Sequence, residues 1–302
     1  AFFRILYRKG INMAFLSYLI GGLGLGSVYA IIALGYSMVY GIAKMLNFAH
    51  GDIIMVGAFV AYFAISSYHL PVFVAVILSV VVCTVLGVLI EKLAYKPLRQ
   101  ASSLSVLITA IGVSYFLQNS AMLLWGTDTK IFPTVMSGSL NIGELSVPYL
   151  TLVTIAACML IMVVLTLFIN KTKIGRAMRA CSEDKGAAAL MGINVNRIIS
   201  ITFAIGSGLA AIAAVLLVAA YPSVYPTLGS MPGIKAFTAA VFGGIGSIPG
   251  AFLGGLLLGV VENLSRAYIS TQLSDAIVFM VLIVVLLIKP TGLLGKKVNV
   301  KV

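Results

Sequence analysis

The stretch Val72–Ile90 reads VFVAVILSVVVCTVLGVLI and contains no charged residue. About 20 consecutive apolar residues are enough for an α-helix to cross the hydrocarbon core of a bilayer. A strand with an open edge in lipid leaves backbone N–H and C=O groups without partners, so this stretch is predicted to be a transmembrane helix. The fold then depends on how many comparable stretches the chain contains.

Other apolar stretches repeat this pattern along the chain. Ala236–Ile248 is too short to cross a hydrocarbon core of about 30 Å, so it is predicted to be a short or re-entrant helix. The sequence therefore predicts an all-α polytopic membrane protein with about eight full transmembrane helices plus this short one. The remaining stretches are Phe15–Tyr40, Ile53–Ser67, Leu104–Leu124, Tyr149–Ile169, Ile198–Ala219, Ala251–Tyr268 and Ala276–Ile288.

The composition excludes most other classes of protein. Of the 302 residues, 61% are hydrophobic and 9% are charged, whereas a soluble domain carries about 25% charged residues. A soluble enzyme, a disordered chain and a disulfide scaffold are all inconsistent with these values. Two of the three cysteines, Cys83 and Cys158, lie inside apolar stretches, and all three are predicted to be free.

The net charge of +12 is interpreted as a signal of membrane topology. Basic residues concentrate in short segments after Ile90, after Ile169 and in the C-terminal tail, and such segments stay in the cytoplasm. The loops Gly126–Pro148 and Tyr221–Gly233 lack this excess of basic residues and are predicted to be external. No nucleic-acid partner is expected, because the basic residues do not form a soluble basic domain.

These considerations divide the chain into three parts. Residues 1–13 are an N-terminal extension, residues 14–295 form the transmembrane domain, and residues 296–302 form a cytoplasmic tail. Residues 1–12 are either an extension upstream of the true start or an interfacial segment. Three apolar stretches precede the first basic loop, which places the N-terminus outside, whereas the basic residues within 1–13 favour the inside.

Glycines are concentrated where helices are expected to pack closely or to break. Gly22/Gly26, Gly250/Gly254 and Gly255/Gly259 have the GxxxG spacing that lets membrane helices approach. The stretch GGIGSIPG from Gly243 to Gly250 does not support a straight helix. Broken helices in membranes occur where they are buried in protein or line a cavity, so this stretch is predicted to border a transport path. Its candidate residues are Gly243, Gly244, Gly246 and Pro249.

Polar residues inside the membrane give further candidates for the path or its gate. Asn47 or Asp52 is predicted to cap a helix that begins near Ile53, or to form with His50 a polar hinge that faces the path. Glu262 lies in an apolar stretch four residues before Arg266, which puts both on one helix face. An ionisable group there costs roughly 2.5–3.5 kcal/mol on insertion scales. The alternatives for Glu262 are an interfacial salt bridge and a gate or ligand contact.

The longest charged segment, residues 171–197, is predicted to be a cytoplasmic docking loop. Ser182 is expected to cap a short helix that has Glu183 and Asp184 in its first turn and ends at Gly192. Short amphipathic helices of this kind dock into grooves of partner proteins. The alternative is a solvated connector between two membrane helices.

The chain contains no catalytic motif of its own. GxxxxGK[ST], HExxH and CxxC do not occur in the sequence, nor does a plausible Ser/His/Asp set. The chain is therefore not expected to be an enzyme, to hydrolyse ATP, or to bind a metal or other cofactor.

Several motifs in order resemble one family of transport proteins. From about Phe15 to Gly295 the chain resembles the LivH-type permease subunits of branched-chain amino acid ABC importers. The motifs that carry this resemblance are GSVYAIIALG at 26–35, MLNFAHG at 45–51, EDKGAAALMGIN at 183–194, KAFTAAVFGGIGSIPG at 235–250 and KPTGLLG at 289–295.

The resemblance implies a multi-pass subunit of the bacterial inner membrane that imports leucine, isoleucine or valine. It implies a second permease subunit, two ATP-binding subunits that hold ATP and Mg, and an external binding protein. The segment 183–194 then corresponds to the loop that contacts the ATP-binding subunits. The residues expected to couple to them are Glu183, Asp184, Ala187, Ala188, Ala189, Leu190 and Gly192.

Two alternatives remain from the sequence. Permeases for urea, short amides or sugars share much of this pattern. A secondary transporter or channel that works alone needs ionisable groups near the midplane, and only Asp52 and Glu262 are candidates.

Overall fold

A computed structural model describes residues 2–142 and 145–295 of the chain. The expected cytoplasmic tail at 296–302 lies outside these residues. Within them, eight of the nine apolar stretches identified from the sequence are helical, whereas the predicted short helix Ala236–Ile248 is interrupted after Gly243. The α-helices are α1 Phe2–Ala43, α2 His50–Ser66, α3 Val72–Ile90, α4 Ser103–Trp125, α5 Tyr149–Lys171, α6 Lys173–Glu183, α7 Lys185–Leu190, α8 Val195–Ala220, α9 Ser230–Gly243, α10 Ile248–Tyr268 and α11 Ser274–Ile288.

Six of these helices are long and apolar enough to cross a membrane. They lie in α1, α3, α4, α5, α8 and α10, and a π-helical turn at Glu91–Tyr95 extends α3. The helices α2, α9 and α11 are apolar but shorter, with 17, 14 and 15 residues. The chain is thus a helical, multi-pass membrane protein with six long spans and shorter apolar helices, where about eight full spans were expected.

Contacts between loops gather the most basic segments at one end of the helices, which we call the basic end. Arg99 contacts both Asn196 and Glu91, and the Ser200 hydroxyl donates to Glu91 Oε2 over 2.6 Å. Lys185 Nζ donates to the carbonyl oxygen of Ala43 at 2.6 Å. The basic end therefore contains the last residues of α1 and α3, the first residues of α4 and α8, and the segment 171–197.

Four short strands mark the other end of the helices, which we call the opposite end. They are β1 Lys130–Ile131, β2 Ser139–Ile142, β3 Leu145–Pro148 and β4 Ser223–Val224. β2 and β3 form an antiparallel hairpin, and β1 pairs antiparallel with β4. The β1–β4 pair brings the loops 126–148 and 221–229 to the same end of the molecule. These strands depart from the purely helical fold predicted from the sequence.

Contacts near its start and at its end give the direction of α1. Tyr18 packs edge-on against Tyr268, the last residue of α10, with ring centroids 5.8 Å apart. Asn263 of α10 donates to the backbone carbonyl of Tyr18 at 2.5 Å. The early part of α1 therefore lies at the opposite end, and α1 runs from there to the basic end.

The helices α1 and α10 approach each other closely through glycines. A Cβ atom added at Gly26 would lie 2.7 Å from the carbonyl oxygen of Leu256, and one added at Gly22 would lie 2.8 Å from the Cα of Val260. Gly259 packs directly on the backbone of Gly26. The predicted pairs Gly22/Gly26 and Gly255/Gly259 therefore face each other, and only glycine allows this approach. The third predicted pair, Gly250/Gly254, packs against α9 instead.

The helices α2 and α9 begin inside the protein rather than at its ends. The ring of His50, the first residue of α2, lies 4.6 Å from the ring of Tyr36. Tyr36 precedes the end of α1 by seven residues, or about 10 Å along the helix. A Cβ atom on Gly51 would lie 2.5 Å from the carbonyl oxygen of Gly229, the residue before α9. The two helix starts therefore meet in the interior.

From this meeting point the two helices run in opposite directions. Phe63, near the end of α2, lies beneath Lys130 of the opposite end, with Nζ 6.0 Å from the ring centroid. At the far end of α9, a Cβ atom on Gly41 of α1 would lie 3.3 Å from Gly246. α2 thus continues to the opposite end and α9 to the basic end.

The chain breaks between α9 and α10 where the glycines predicted it. Gly244 and Gly246 have φ values of +108° and +90°, which residues with side chains rarely adopt. The backbone N–H groups of Leu293 and Leu294 donate to the carbonyls of Phe242 and Gly243, each over 2.9 Å. The last described segment thus satisfies carbonyl groups that the end of α9 leaves free.

We predict that Gly26→Val destabilises the protein by about 1–3 kcal/mol or more, because the added side chain separates α1 from α10. The measurement is the free energy of unfolding in detergent micelles. Gly112→Val on α4 is the matched control, since a Cβ there would meet no atom within 4 Å. Equal stability of the two variants would contradict the role of the α1–α10 contact.

Candidate functional site

A cavity of about 230 Å³ lies where the starts of α2 and α9 meet α1 and α4. Such a volume is below the roughly 300–1,000 Å³ typical of sites for drug-sized ligands, so it suits a small solute. Its lining includes both polar and apolar side chains. They are Tyr36, Asp52, Ser114, Tyr115, Gln118 and Ser230, with Phe48, Ile111 and Ile234.

Of the residues that the structure describes, Asp52 is the only charged one that lines this cavity. Its exposed fraction is 2%, and its Oδ1 accepts a hydrogen bond from Gln118 Nε2 at 2.8 Å. The same amide group of Gln118 lies 3.2 Å from Ser114 Oγ and 3.3 Å from Ser230 Oγ. Among the described residues, Asp52 forms no salt bridge.

The cavity lies deep in the membrane-spanning part of the chain. Gln118 is 15 residues after the start of α4 at Ser103, which corresponds to about 22 Å along a helix of about 34 Å. Water is scarce at such a depth, so a carboxylate there requires a compensating interaction.

The expectation that Asn47 or Asp52 caps α2 is wrong. The residue before the helix is Ala49, and no side chain caps the helix start. Asn47 instead accepts a hydrogen bond from the Tyr95 hydroxyl at 2.9 Å, which holds it away from the first turn. Asp52 lies within the first turn, where the partial positive charge of the helix start favours its carboxylate.

The candidate path residues do not all share one site. Asp52 lines the cavity, whereas Asn47 bonds to Tyr95 and the ring of His50 packs against Gly35 of α1. The residues of the α9–α10 break, Gly243, Gly244, Gly246 and Pro249, lie at the basic end. There Gly246 borders a second cavity of about 70 Å³, between α1, α6 and the break.

Glu262 belongs to a network of four charges that joins α9, α10 and α11. Lys235 Nζ lies 2.8 Å from Glu262 Oε1 and 2.6 Å from Asp275 Oδ1, and Arg266 also contacts Glu262 Oε1. The side chain of Glu262 is completely buried and that of Lys235 is nearly so. The expected pair of Glu262 with Arg266 is present. The network contains two cations and two carboxylates, so its formal charges cancel.

The segment 171–197 folds as two short helices, and its cap differs from the expected one. Ser182 donates to the carbonyl oxygen of Arg179 inside α6 and caps nothing. Asp184 is the cap of α7, because its Oδ1 accepts from the N–H groups of Gly186 and Ala187 at 2.7 and 3.0 Å. Glu183 is therefore the last residue of α6 rather than part of the first turn of α7.

One side of α7 is anchored and the other is exposed. Ala188 is buried against the body of the protein, whereas Glu183, Asp184, Ala187 and Ala189 are exposed. After them, Leu190 is 91% exposed and Met191 is 83% exposed. Gly192 then reverses the chain with a φ of +80°. Two adjacent apolar side chains almost fully in solvent at the basic end indicate a contact surface for another protein.

Lys185 connects α7 to the end of α1. Its ammonium group caps the carbonyl of Ala43, and cations are favourable at the C-terminal end of a helix. Desolvation, and then the nearby charges of Arg99 and Lys44, lower the pKa of Lys185 from its ordinary value. Ala43 is followed by the segment that leads directly to His50 and the cavity.

Sequence reasoning missed several residues of these sites. Tyr36 and Ser230 are common residue types within apolar surroundings, so their role follows only from the meeting of two helix starts. Lys235 carried a usable signal, because it is a charge directly before the short apolar stretch Ala236–Ile248, whose first part lies in α9. Lys185 had none, since it is one of many basic residues in its loop.

An interior cavity and an exposed apolar contact surface, carried on a helical multi-pass scaffold, define a membrane transport subunit. The chain belongs to the family described as branched-chain amino acid transport system, permease component, which it matches over residues 18–286. It is therefore a permease subunit rather than an enzyme.

Individual relatives support the same assignment across nearly the whole chain. The chain is 47% identical to the high-affinity branched-chain amino acid transport permease protein BraD of Pseudomonas aeruginosa, over 93% of this chain and 96% of BraD. It is 44% identical to the corresponding LivH protein of Escherichia coli, with the same coverage. A probable LivH of Methanocaldococcus jannaschii is 26% identical over 91% of each chain.

We predict that Lys235→Ala destabilises the protein by about 3 kcal/mol or more, because it leaves Glu262 buried with one cation fewer. The double variant Lys235→Met with Glu262→Gln removes both charges and is expected to be less destabilised than the single variant. Unfolding of each variant in detergent micelles tests this. A double variant that is less stable than Lys235→Ala would show that the four-charge network is not the reason for the loss.

Proposed function

We propose that this chain is the permease subunit of an ATP-driven importer for leucine, isoleucine and valine. Its partners in this proposal are a second permease subunit, two ATP-binding subunits that carry ATP and Mg, and an external binding protein. The names of relatives that align over nearly the full length support the substrate class. The observation that carries the coupling role is the exposed Leu190–Met191 pair on a segment tied to α1.

The basic end is proposed to face the cytoplasm of a bacterial inner membrane. Its excess of lysine and arginine over the opposite end supports this orientation. In this topology two further crossings add to the six long spans, which gives about eight. One is α2 together with the extended segment before it, and the other is α11. The helix α9 crosses only part of the bilayer. Residues 1–13 form an external extension, residues 14–295 form the permease domain, and residues 296–302 form a cytoplasmic tail.

The segment 171–197 is proposed to couple ATP hydrolysis to the path. Leu190 and Met191 enter a groove of the ATP-binding subunit, and the exposed surface of Glu183, Asp184, Ala187, Ala189 and Gly192 surrounds them. Ala188 packs inward and Lys185 holds the end of α1, so a displacement of α7 also displaces the chain that leads to α2. This route ends at the cavity, where the proposed substrate path lies.

The remaining candidates contribute to the path in different ways. Asp52 is proposed to contact the solute directly, and Asn47 and His50 hold the segment that enters the membrane. The break at Gly243, Gly244, Gly246 and Pro249 lets α9 and α10 shift at the basic end. Glu262 holds α9, which borders the cavity, against α10. The cavity reaches the protein surface along α4, where Tyr115 is 63% exposed, and this supports a path shared with the second permease subunit.

The proposal is tested by reconstituting the chain with its four partner subunits in proteoliposomes. ATP-dependent accumulation of leucine is expected, and the ATP-binding subunits are expected to co-purify with the chain. Uptake of leucine by the chain alone, without nucleotide, would instead indicate a secondary transporter.

We predict that Gly192→Val uncouples the importer, because valine strains the positive φ that ends α7 and misplaces Leu190. Leucine uptake and binding-protein-stimulated ATPase activity are expected to fall several-fold together, while membrane insertion is retained. Both rates are measured on the same proteoliposomes.

Gly192→Asn is the matched control, because asparagine tolerates the left-handed conformation and a Cβ at this position meets no atom within 4 Å. This variant is expected to retain most of the activity. If valine and asparagine have the same effect, the backbone geometry at residue 192 does not set the position of the docking surface.

A further inference from the structure

Asp52 is a buried carboxylate that forms no ion pair with a side chain in the described part of the chain, and the start of α2 supplies it with a partial positive charge only. The groups that face it from α4 and α9 are the neutral side chains of Gln118, Ser114 and Ser230, and Tyr36 on α1 is neutral as well. By contrast, Glu262 is a deeply buried carboxylate near α9 that contacts two cations of the chain itself. Since an ionised carboxylate at this depth is costly, a cation from outside the chain is expected to complete the site.

The start of α9 supplies the complementary feature for a negative group. No side chain caps the helix start, and Ser230, its first residue, points its hydroxyl into the cavity lining. The first N–H groups of a helix carry partial positive charge and attract carboxylates, and interrupted membrane helices use their starts in this way. Within this first turn the N–H of Ser230 donates to the carbonyl of Thr227 and that of Gly233 to Gly229, and residue 232 is a proline without an N–H group. The cavity thus holds a carboxylate together with the Ser230 hydroxyl and the partial positive charge of a helix start.

Apolar side chains line the rest of the cavity. Phe48, Ile111 and Ile234 belong to three different elements and border the same space. A branched aliphatic side chain fits such a lining, because its burial there removes apolar surface from water. The cavity therefore offers one region for each part of a small aliphatic amino acid.

We propose that the cavity is a transient binding site for the amino acid zwitterion within the permease. Asp52 accepts hydrogen bonds from the α-ammonium group, and the Ser230 hydroxyl donates to the α-carboxylate, which the partial positive charge at the start of α9 also favours. Phe48, Ile111 and Ile234 contact the aliphatic side chain. This site rests on the proposed import of branched-chain amino acids and adds a point of recognition downstream of the external binding protein.

The test compares Asp52→Asn with the unaltered chain in the complete importer. Asparagine has nearly the same shape and still accepts from Gln118, so the fold is expected to be retained and thermal unfolding in detergent measures this. Leucine uptake is expected to fall by roughly tenfold or more, because a hydrogen bond between charged partners is lost. Binding-protein-stimulated ATP hydrolysis is expected to stay within about twofold, since the coupling segment is unchanged.

Two matched measurements make the result specific. Asn119→Ala changes an exposed polar residue next to Gln118 and is expected to transport normally. The side-chain amide of Asn119 donates to the backbone carbonyl of Tyr115 and does not line the cavity. A leucine analogue with a photoreactive side chain is expected to label the peptide that contains Ile111 in the unaltered importer. Labelling is expected to decrease in Asp52→Asn.

Normal uptake by Asp52→Asn would overturn the binding site and leave the proposed function intact. Equal loss of uptake and ATP hydrolysis in a folded Asp52→Asn importer would also overturn it, because Asp52 would then act in coupling. Failure of the unaltered importer to accumulate any branched-chain amino acid would overturn the proposed function itself, and with it the ligand of the site.

Discussion

The structure depends on the close approach of α1 and α10. Inside a bilayer the apolar side chains gain little from leaving lipid, so helices associate through van der Waals contact and hydrogen bonds. Gly22, Gly26 and Gly259 remove the side chains that would separate the two backbones. With α10 held in place, α1 presents its other faces to α8 and α9. The interior position of the two short helix starts therefore follows from an exact fit between two long helices.

Of the three buried carboxylates in the described part of the chain, Glu262 and Asp52 have opposite surroundings. Glu262 is neutralised by Lys235 and Arg266, and this network fixes α9 against α10. Asp52 receives only neutral donors and borders the cavity. A neutralised charge stabilises an arrangement of helices, whereas a charge without a fixed partner is available to a ligand. The contrast explains how residues that look alike in sequence take different roles.

The sequence predicted the helices well because each has a long apolar stretch, and Gly243–Gly250 predicted the break because glycine and proline do not maintain a helix. It did not predict that α2 starts in the interior, because an extended segment such as 44–49 has no periodic pattern. Ser182 was a reasonable cap by residue type, but Asp184 competes for the same N–H groups and binds two of them. The cavity depends on contacts between distant helices, so only Asp52 among its residues was singled out as a path candidate.

The pairing of Leu293 and Leu294 with the end of α9 bears on how this region tolerates change. Both hydrogen bonds join backbone atoms, so many side chains at these two positions are compatible with them. The register is less tolerant, because deleting one residue between Ile288 and Leu293 would present different amide groups to Phe242 and Gly243. Variation near the end of the described chain is thus expected to alter residue identity more readily than spacing.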